Sequence, residues 1–357
     1  MTARVLLMGF LAPAFFLTAC SQDRDALVYK DQELVVNVVA DVETAPVPSG
    51  DDAADDPAIW IHPGDAQRSL IIGTDKQSGL VSYDLTGQQI QYLADGLPNN
   101  VDLRQGVSIG GFLGDLMITS DRADNTMGVF ALDNAGAMRR LGRVESPIEE
   151  PYGACMGMVQ GNAIGFVTYK TGEVYAYTLA NIEPTIAADV NLVATFESQL
   201  EGCTVDDERG LLYVGEEAKG FWIVELTVDG SKVTGNAPIL LDEVEKDSGM
   251  AADVEGLDLY IDQAGERTLI VSSQGNDSFA VYRLSDEGKK ADFVDRFRVV
   301  AQQDGIDGAQ ETDGLAVTPV ALGPQYPEGL LVVQDGFNAP KGSTQNFKYI
   351  DWRKVPK

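Results

Sequence analysis

The feature that most constrains this chain is a weak repeat with a period of about fifty residues. Each copy opens with an acidic or polar residue, usually followed by glycine and an apolar residue, ahead of a β-rich stretch. The openings are Asp56, Asp102, Tyr152, Glu201, Glu255 and Asp313. Successive openings lie between 46 residues (56 to 102) and 58 residues (255 to 313) apart. A period of this length indicates one supersecondary unit per repeat, and so six units.

Each unit consists of short β-branched and aromatic runs separated by Gly, Asp and Asn turns, such as residues 269–273 and 279–283. No helical period persists, so the chain is predicted to be all-β. We predict a six-bladed β-propeller of four-stranded antiparallel blades around a central channel. The innermost strands of a propeller begin at one face, so the repeated openings are expected to meet at one channel mouth. Residues 34–39 are the expected strand that joins the last blade and closes the ring.

The charge of the chain limits its partners. Among 357 residues there are 55 acidic and 26 basic side chains, which gives a net charge of −29. Such a surface repels nucleic acid and anionic membranes. It also suits a protein that presents carboxylates to hard cations such as Ca²⁺, although diffuse solvation is the simpler explanation. The acids favour cation binding where they cluster in short motifs.

The first residues have the composition of an export signal. Arg4 precedes an apolar run, and Leu17-Thr18-Ala19-Cys20 resembles a bacterial lipobox. We therefore expect a lipoprotein signal peptide over residues 1–19, a lipidated Cys20 and flexible tether over 20–32, and a single propeller domain over 33–357. An ordinary secretory signal with an incidental cysteine is the alternative. Either way the protein is expected to be exported, to the bacterial cell envelope if lipidated, and to touch a membrane only through that anchor.

Two cysteines remain in the predicted domain, Cys155 and Cys203. They could pair in an oxidising compartment or lie buried as small apolar side chains. Two cysteines in so long a chain do not form a disulfide framework. Buried thiols are therefore the expectation.

Convergence of Asp56, Glu201, Glu255 and Asp313 would bring several carboxylates into a small volume, where they repel one another or take up protons. Calcium relieves this repulsion because it accepts six to eight oxygen ligands in flexible geometry. Further oxygen donors near these positions in the sequence are Asp52, Asp55, Asn99, Asn100, Glu216, Glu217, Asp253, Gln274 and Asp307.

An ordered set of motifs strengthens this hypothesis. The motifs are 52–60 (DAADDPAIW), 99–104 (NNVDLR), Glu201-Gly202, 253–257 (DVEGL), 272–276 (SSQGN), 312–314 (TDG) and 345–348 (QNFK). In this order they resemble the signatures of β-propeller phytases, from about Val42 to the C-terminus. The segments around Tyr152 and Lys170 keep only the key residue types, and the loop at 304–310 differs from the family pattern.

The resemblance implies a calcium-dependent active site with two phosphate pockets. Its implied active-site calcium ligands are Glu43, Asp55, Glu201, Glu217, Asp253, Glu255, Gln274 and Asp313, to which we add Asp52, Asn99 and Asp307 as nearby oxygen donors. A structural calcium is implied at Asp56, Pro57 and Val101. Phosphate contacts are implied for Lys76, Arg122, Tyr152 and Lys170. The expected catalytic set is Glu201, Glu217, Asp253, Glu255 and Asp313.

The implied activity is hydrolysis of calcium-complexed phytate by a metal-activated water without a phosphoenzyme, for phosphate acquisition, by a monomeric 3-phytase. The single histidine, His62, leaves histidine-acid, purple acid and zinc-dependent phosphatase sites without their parts. Two other classes remain open at this point. One is a non-catalytic, lipid-anchored propeller that binds a partner, and the other is a calcium-dependent propeller lactonase. Lys76, Arg122 and Lys170 beside a carboxylate cluster would favour phosphate chemistry over both.

Overall fold

The computed structural model describes residues 35–302, 305–338 and 344–357. The predicted signal peptide, tether and Cys20 lie outside them. The regular structure of the described residues is β-strand, apart from 3-10 turns at Ala66–Arg68, Gln274–Asn276 and Trp352–Lys354. None of their helices has the length and apolar character of a membrane span. The prediction of an all-β protein is therefore confirmed.

The strands follow one another with short connections. In chain order they are β1 (Val36–Val38), β2 (Val42–Glu43), β3 (Ala54–Trp60), β4 (Leu70–Asp75), β5 (Gly79–Tyr83), β6 (Gln89–Leu93), β7 (Pro98–Ile109), β8 (Phe112–Asp121), β9 (Thr126–Leu132), β10 (Met138–Glu145), β11 (Pro151–Val159), β12 (Asn162–Tyr169), β13 (Glu173–Asn181), β14 (Ala187–Thr195), β15 (Leu200–Asp206), β16 (Leu211–Glu216), β17 (Gly220–Asp229), β18 (Lys232–Gly235), β19 (Ile239–Glu243), β20 (Val254–Ile261), β21 (Arg267–Ser273), β22 (Ser278–Leu284), β23 (Ala291–Val299), β24 (Leu315–Thr318), β25 (Leu330–Asp335) and β26 (Asn346–Asp351).

These strands form six sheets, in which β3 to β26 pair antiparallel with strands close to them in the chain, while β1 and β2 join the edges of the last two sheets. We number the sheets as blades one to six, beginning with β3–β6 and ending with β24–β26. The innermost strands are β3, β7, β11, β15, β20 and β24, and each contacts the next around a ring that β24 closes against β3. In blade four, β18 and β19 both pair with β17. The predicted six-bladed propeller is confirmed.

The ring is closed by a different segment from the one predicted. Val42 and Glu43 of β2 pair antiparallel with β26 and complete blade six. Val36–Val38, inside the predicted closing strand, instead pair parallel with β23 as a fifth strand of blade five. Val38 packs in the apolar cluster between blades five and six. Val36–Val38 therefore lie at a seam between blades, and the hydrophobicity of this segment does not mark the closing strand.

Apolar burial is divided among six clusters, each between two neighbouring blades. The cluster between blades three and four, for example, joins Phe166 and Val174 to Leu212 and Val224. That between blades six and one joins Tyr349 to Tyr83. Strands inside a blade, such as β5 and β9, bury side chains on both faces and show near-continuous apolar runs, whereas the outermost strand β6 is largely exposed.

A disulfide links Cys155 on β11 to Cys203 on β15, with their Cα atoms 5.5 Å apart. The expectation of two buried thiols was therefore wrong. The two cysteines are 48 residues apart, close to one repeat period, and neighbouring innermost strands lie side by side. Residues separated by about one period can thus meet across a blade boundary, which a count of cysteines alone does not reveal.

Candidate active site

The innermost strands share a β-bulge near the channel mouth. In blades one to five, two residues of the innermost strand oppose one residue of the second strand, as Tyr152 and Gly153 oppose Thr168. Asp313 and Gly314 take the matching place just before β24 in blade six. We call the first bulge residues the inner ring. They are, from blade one to blade six, Asp55, Asn99, Tyr152, Glu201, Glu255 and Asp313.

The bulge is held by side chains of the second strand. The backbone N–H groups of Asp56, Asn100 and Gly153 donate to the hydroxyls of the facing residues in blades one, two and three at 2.9–3.1 Å. In blade six the Asp313 N–H donates to Gln334 Oε1 at 2.9 Å, and Gln334 Nε2 donates to the Ala54 carbonyl. These bonds satisfy the backbone groups that a bulge leaves unpaired.

The repeat predicted from sequence has the wrong register in two blades. Asp55 and Asn99, not Asp56 and Asp102, are equivalent to Glu201. Asp56 occupies the place of Gly202, and its Oδ2 accepts the Val101 N–H at 3.0 Å. The Asp-Pro pair resembles the acidic-Gly openings, but the bulge begins one residue earlier because Pro57 already pairs with Gly73.

A second set of six residues surrounds the same mouth. These residues directly follow the second strand of each blade, and we call them the outer ring. They are Lys76, Arg122, Lys170, Glu217, Gln274 and Gly336. Blades one to three therefore contribute three cations, whereas blades four to six contribute an acid, an amide and a glycine. Five of the six outer-ring residues are among the predicted site residues.

Three glutamates from blades four and five lie close together at the channel mouth. One carboxylate oxygen from each of Glu201, Glu217 and Glu255 lies within 4.8 Å of the others. Glu201 and Glu255 are buried, and their carboxyl groups hydrogen bond to each other. Asp253 is half-buried, and its charge raises the pKa of both Glu217 and Glu255. Four of the five residues predicted to be catalytic are thus together.

Asp313, the fifth predicted catalytic residue, joins this group through neighbours. Gln274 Nε2 donates to Asp313 Oδ1. Lys76 Nζ lies 2.9 Å from Asp55 Oδ2, 2.8 Å from Asp52 Oδ1 and 3.5 Å from Asp313 Oδ2. The lysine therefore connects the cationic half of the outer ring to the inner-ring carboxylates.

Burial and mutual repulsion disfavour ionisation of these carboxyls. Burial raises the pKa of Glu201 and Asp313 well above the usual range, and nearby acids raise both further. Burial likewise raises the pKa of Glu255 to about 8. Burial also raises the pKa of Glu217, while a hydrogen bond from Gln199 opposes that rise. At neutral pH the cluster therefore requires protons or added positive charge.

The donor set fits a hard divalent cation. Glu255 Oε2 is buried without a hydrogen-bond partner, and Asn99 Oδ1 is likewise unpartnered while its Nδ2 donates to Glu201 Oε1 at 2.8 Å. Carboxylate and amide oxygens are the ligands that Ca²⁺ prefers. Two orphaned buried oxygens beside three converging carboxylates therefore match a cation rather than a purely hydrogen-bonded core.

The cationic half also faces the mouth. Arg122 Nη2 donates to the Lys76 carbonyl at 2.9 Å. Lys170 Nζ makes a cation–π contact with Tyr152, 4.4 Å from the centre of the ring. The charge of Lys170 also lowers the pKa of Glu217. Burial and the Glu201 carboxylate raise the pKa of Tyr152, so its hydroxyl remains a hydrogen-bond donor. Of the four residues predicted to contact phosphate, Tyr152 thus lies in the inner ring and Lys76, Arg122 and Lys170 lie in the outer ring.

The remaining predicted ligands lie elsewhere. Asp56, Pro57 and Val101 line a cavity of about 370 Å³ in the central channel. Glu43 and Asp307 contact the buried Lys348 Nζ, Glu43 at 2.7 Å, together with Asp335 at 3.1 Å. The structure therefore places Glu43 and Asp307 beside the buried ammonium group of Lys348 on β26.

Two supporting residues were missed from sequence, Gln199 and Gln334. Gln199 Nε2 donates to Glu217 Oε1 at 2.5 Å, and Gln334 holds the bulge of blade six. A signal for Gln334 exists, because a polar residue stands two positions before the outer-ring residue in Thr74-Asp75-Lys76, Ser120-Asp121-Arg122 and Gln334-Asp335-Gly336. Gln199 has no such periodic signal.

The pKa shifts predict how stability varies with pH. The folded protein holds protons on groups such as Glu255 up to about pH 8, whereas an exposed glutamate releases its proton near 4.5. Over this window the folded state binds more protons than the unfolded state, so stability falls as pH rises. Without divalent cations we expect the melting temperature to fall as the pH rises from 5.5 to 8. Millimolar calcium should stabilise more at pH 8, and an equal effect at both pH values would contradict this.

Comparisons with known proteins agree with this arrangement. The family described as Phytase matches residues 5–357. A 3-phytase from Bacillus subtilis (strain 168) is 37% identical over 340 residues, covering 92% of this chain and 86% of the relative.

Two solved structures share the fold at low identity. A luciferin-regenerating enzyme is 12% identical with a TM-score of 0.51, covering 85% of this chain and 94% of that one. The Malassezia sympodialis allergen Mala s 1 is 13% identical with a TM-score of 0.52, covering 86% and 95%. The resemblance to β-propeller phytases is thereby confirmed. The chain belongs to the phytase family and is a phosphoric monoester hydrolase.

Proposed function

We propose that this protein is an exported, calcium-dependent phytase that removes phosphate from myo-inositol hexakisphosphate and releases lower inositol phosphates. The observation that carries the proposal is the division of the channel mouth. Three outer-ring cations stand on blades one to three, and three converging glutamates stand on blades four and five. A polyphosphate ester bridging the two halves would meet fixed cations on one side and cation ligands on the other.

The calcium ligands in this proposal come from both rings. They are Asp55, Asn99, Glu201, Glu217, Asp253, Glu255, Gln274 and Asp313, with Asp52 at the edge. Calcium bound there would supply positive charge for the phosphate oxygens and make a nearby water more acidic. Asp56, Pro57 and Val101 would hold a structural calcium beside the channel cavity. For Glu43 and Asp307 we propose a peripheral role, because Lys348 already neutralises part of their charge.

The cationic residues bind and orient the substrate. Arg122 offers a planar fork for two phosphate oxygens, whereas Lys76 and Lys170 act as point charges. The Tyr152 ring holds Lys170 in place, and its protonated hydroxyl is free to donate to a phosphate oxygen. These contacts are needed because a chain of net charge −29 otherwise repels a polyanion.

The proposal places the protein outside the cytoplasm. The Cys155–Cys203 disulfide supports an oxidising compartment, and the first residues have the composition of a lipoprotein signal. Cleavage before Cys20 and acylation of its thiol would tether a monomeric enzyme to the bacterial cell envelope, where released phosphate can be acquired.

The decisive experiment measures phosphate release from sodium phytate by protein lacking residues 1–20. We expect release in millimolar calcium and none in excess EGTA, with circular dichroism showing a folded protein in both. Restoring calcium after EGTA should restore activity, because only the cation was removed. Absence of release from folded, calcium-loaded protein would exclude the proposed function and favour a non-catalytic binding module.

A further inference from the structure

Gln199 precedes β15 and contacts one carboxylate of the mouth twice. The backbone N–H of Glu217 donates to the Gln199 carbonyl at 3.1 Å. The Gln199 side chain in turn donates from Nε2 to Glu217 Oε1 at 2.5 Å. Backbone and side chain of Glu217 are therefore both fixed by a residue that belongs to neither ring.

The segment that carries Gln199 is itself anchored. The N–H groups of Glu197 and Ser198 donate to Glu216 Oε1 at 3.2 and 2.9 Å, and Ser198 Oγ donates to the same oxygen at 2.7 Å. The other oxygen of the buried Glu216 accepts the Trp222 indole N–H at 2.8 Å. The two residues before Gln199 are thus held by the buried carboxylate of Glu216, so Gln199 cannot easily follow a movement of Glu217.

Glu217 needs such support more than its neighbours do. Glu201 on β15 and Glu255 on β20 are buried, and packing restricts their rotamers. Glu217, in contrast, is half-buried in a turn after β16. It is also the only acid of the outer ring, and its neighbour in that ring is Lys170 of blade three. Without the Gln199 amide, its carboxylate could turn towards solvent or towards that lysine.

We propose that Gln199 is a positioning residue that presents Glu217 to the cation held by Glu201 and Glu255. The hydrogen bond occupies one oxygen of Glu217, which leaves the other oxygen for the cation. Partners that orient a metal ligand in this way strongly affect metal affinity. The inference rests on the proposed function, because it assumes that the three glutamates bind calcium.

The first test is Gln199→Leu, which keeps the size of the side chain and removes its donor. We expect calorimetric calcium affinity to fall about tenfold, with a matching rise in the calcium concentration for half-maximal phosphate release. The kcat at saturating calcium, the KM for phytate and the melting temperature without calcium should stay near the wild-type values. A lower kcat that calcium does not restore, or a clear loss of stability, would mean a structural role and overturn the proposal.

A double-mutant cycle isolates the contact. In a Glu217→Gln background, Gln199→Leu should not lower calcium affinity further, because the carboxylate that it orients is gone. The same loss in both backgrounds would overturn the proposal. Gln105→Leu is the matched control, since the Gln105 amide donates to Ile61 and Asp115 beyond the mouth, and calcium affinity should not change.

Calorimetric measurement of calcium binding distinguishes a failure of the proposed function from a failure of the positioning role of Gln199. If the wild-type protein binds no calcium and releases no phosphate, the proposed function has failed. If it does both and Gln199→Leu behaves like the wild type, only the positioning role has failed.

Discussion

Glu255→Ala is expected to reduce calcium-dependent phosphate release by about 10²–10³-fold. The reason is that the variant loses a carboxylate that holds the cation, and this cation stabilises the charge of the transition state. The variant removes a buried carboxyl group whose Oε2 has no hydrogen-bond partner and which interacts with the neighbouring acids Glu201 and Glu217. The same change should raise the melting temperature of the calcium-free protein near pH 8, because it removes repulsion within the cluster. Phosphate release and thermal melting in the absence of divalent cations together test both effects.

The combination distinguishes a lost site from a damaged fold, since misfolding lowers activity and stability together. Glu266→Ala is the matched control in the same blade. Glu266 is exposed in the turn that joins β20 to β21, at the opposite end of β20 from Glu255. Phosphate release by this control should stay within about twofold of the wild type. Near-normal turnover by Glu255→Ala, or an equal loss in the control, would refute the assignment.

Replacing both Cys155 and Cys203 by alanine should give the largest loss of stability. The disulfide closes a loop with a sequence separation of 48 residues, and the chain-entropy relation gives about 4 kcal/mol for that length. For a domain of this size the expected fall in melting temperature is about 6 °C. Differential scanning calorimetry of the oxidised protein and the variant measures it.

The accompanying control is thiol titration of the denatured wild-type protein lacking residues 1–20. It should show no free thiol before reduction and two after it, and the reduced protein should melt close to the double variant. Two free thiols in protein purified under oxidising conditions would contradict the pairing of these cysteines.

The overall architecture could be predicted because it depends on period and strand composition. Six openings about fifty residues apart predicted six blades, since each unit must bury its apolar faces against its neighbours. The carboxylate cluster followed from the same argument, as the innermost strands bring Glu201 and Glu255 to one mouth. These inferences tolerate an error of one or two residues in alignment.

Features that depend on exact register could not be predicted. Whether Asp55 or Asp56 joins the inner ring is decided by the position of a bulge, and Asp-Pro in blade one resembles Glu-Gly in blade four. The closing strand was misplaced because Val42–Glu43 is only two residues long, too short for a hydrophobic pattern. Predicting the disulfide required the distance between Cys155 and Cys203, which lie in neighbouring blades. Gln199 required knowledge of which side chains face each other after folding.

The order of the two halves along the chain has a genetic consequence. The outer-ring cations all lie between residues 76 and 170, and the three glutamates all lie between 201 and 255. Substitutions between residues 76 and 170 can therefore change the three cations while the three glutamates stay the same. Recombination between related genes near codon 197 would join the three cations of one parent, together with Asp55 and Asn99, to the three glutamates of the other, and both parents must retain Cys155 and Cys203 as a pair.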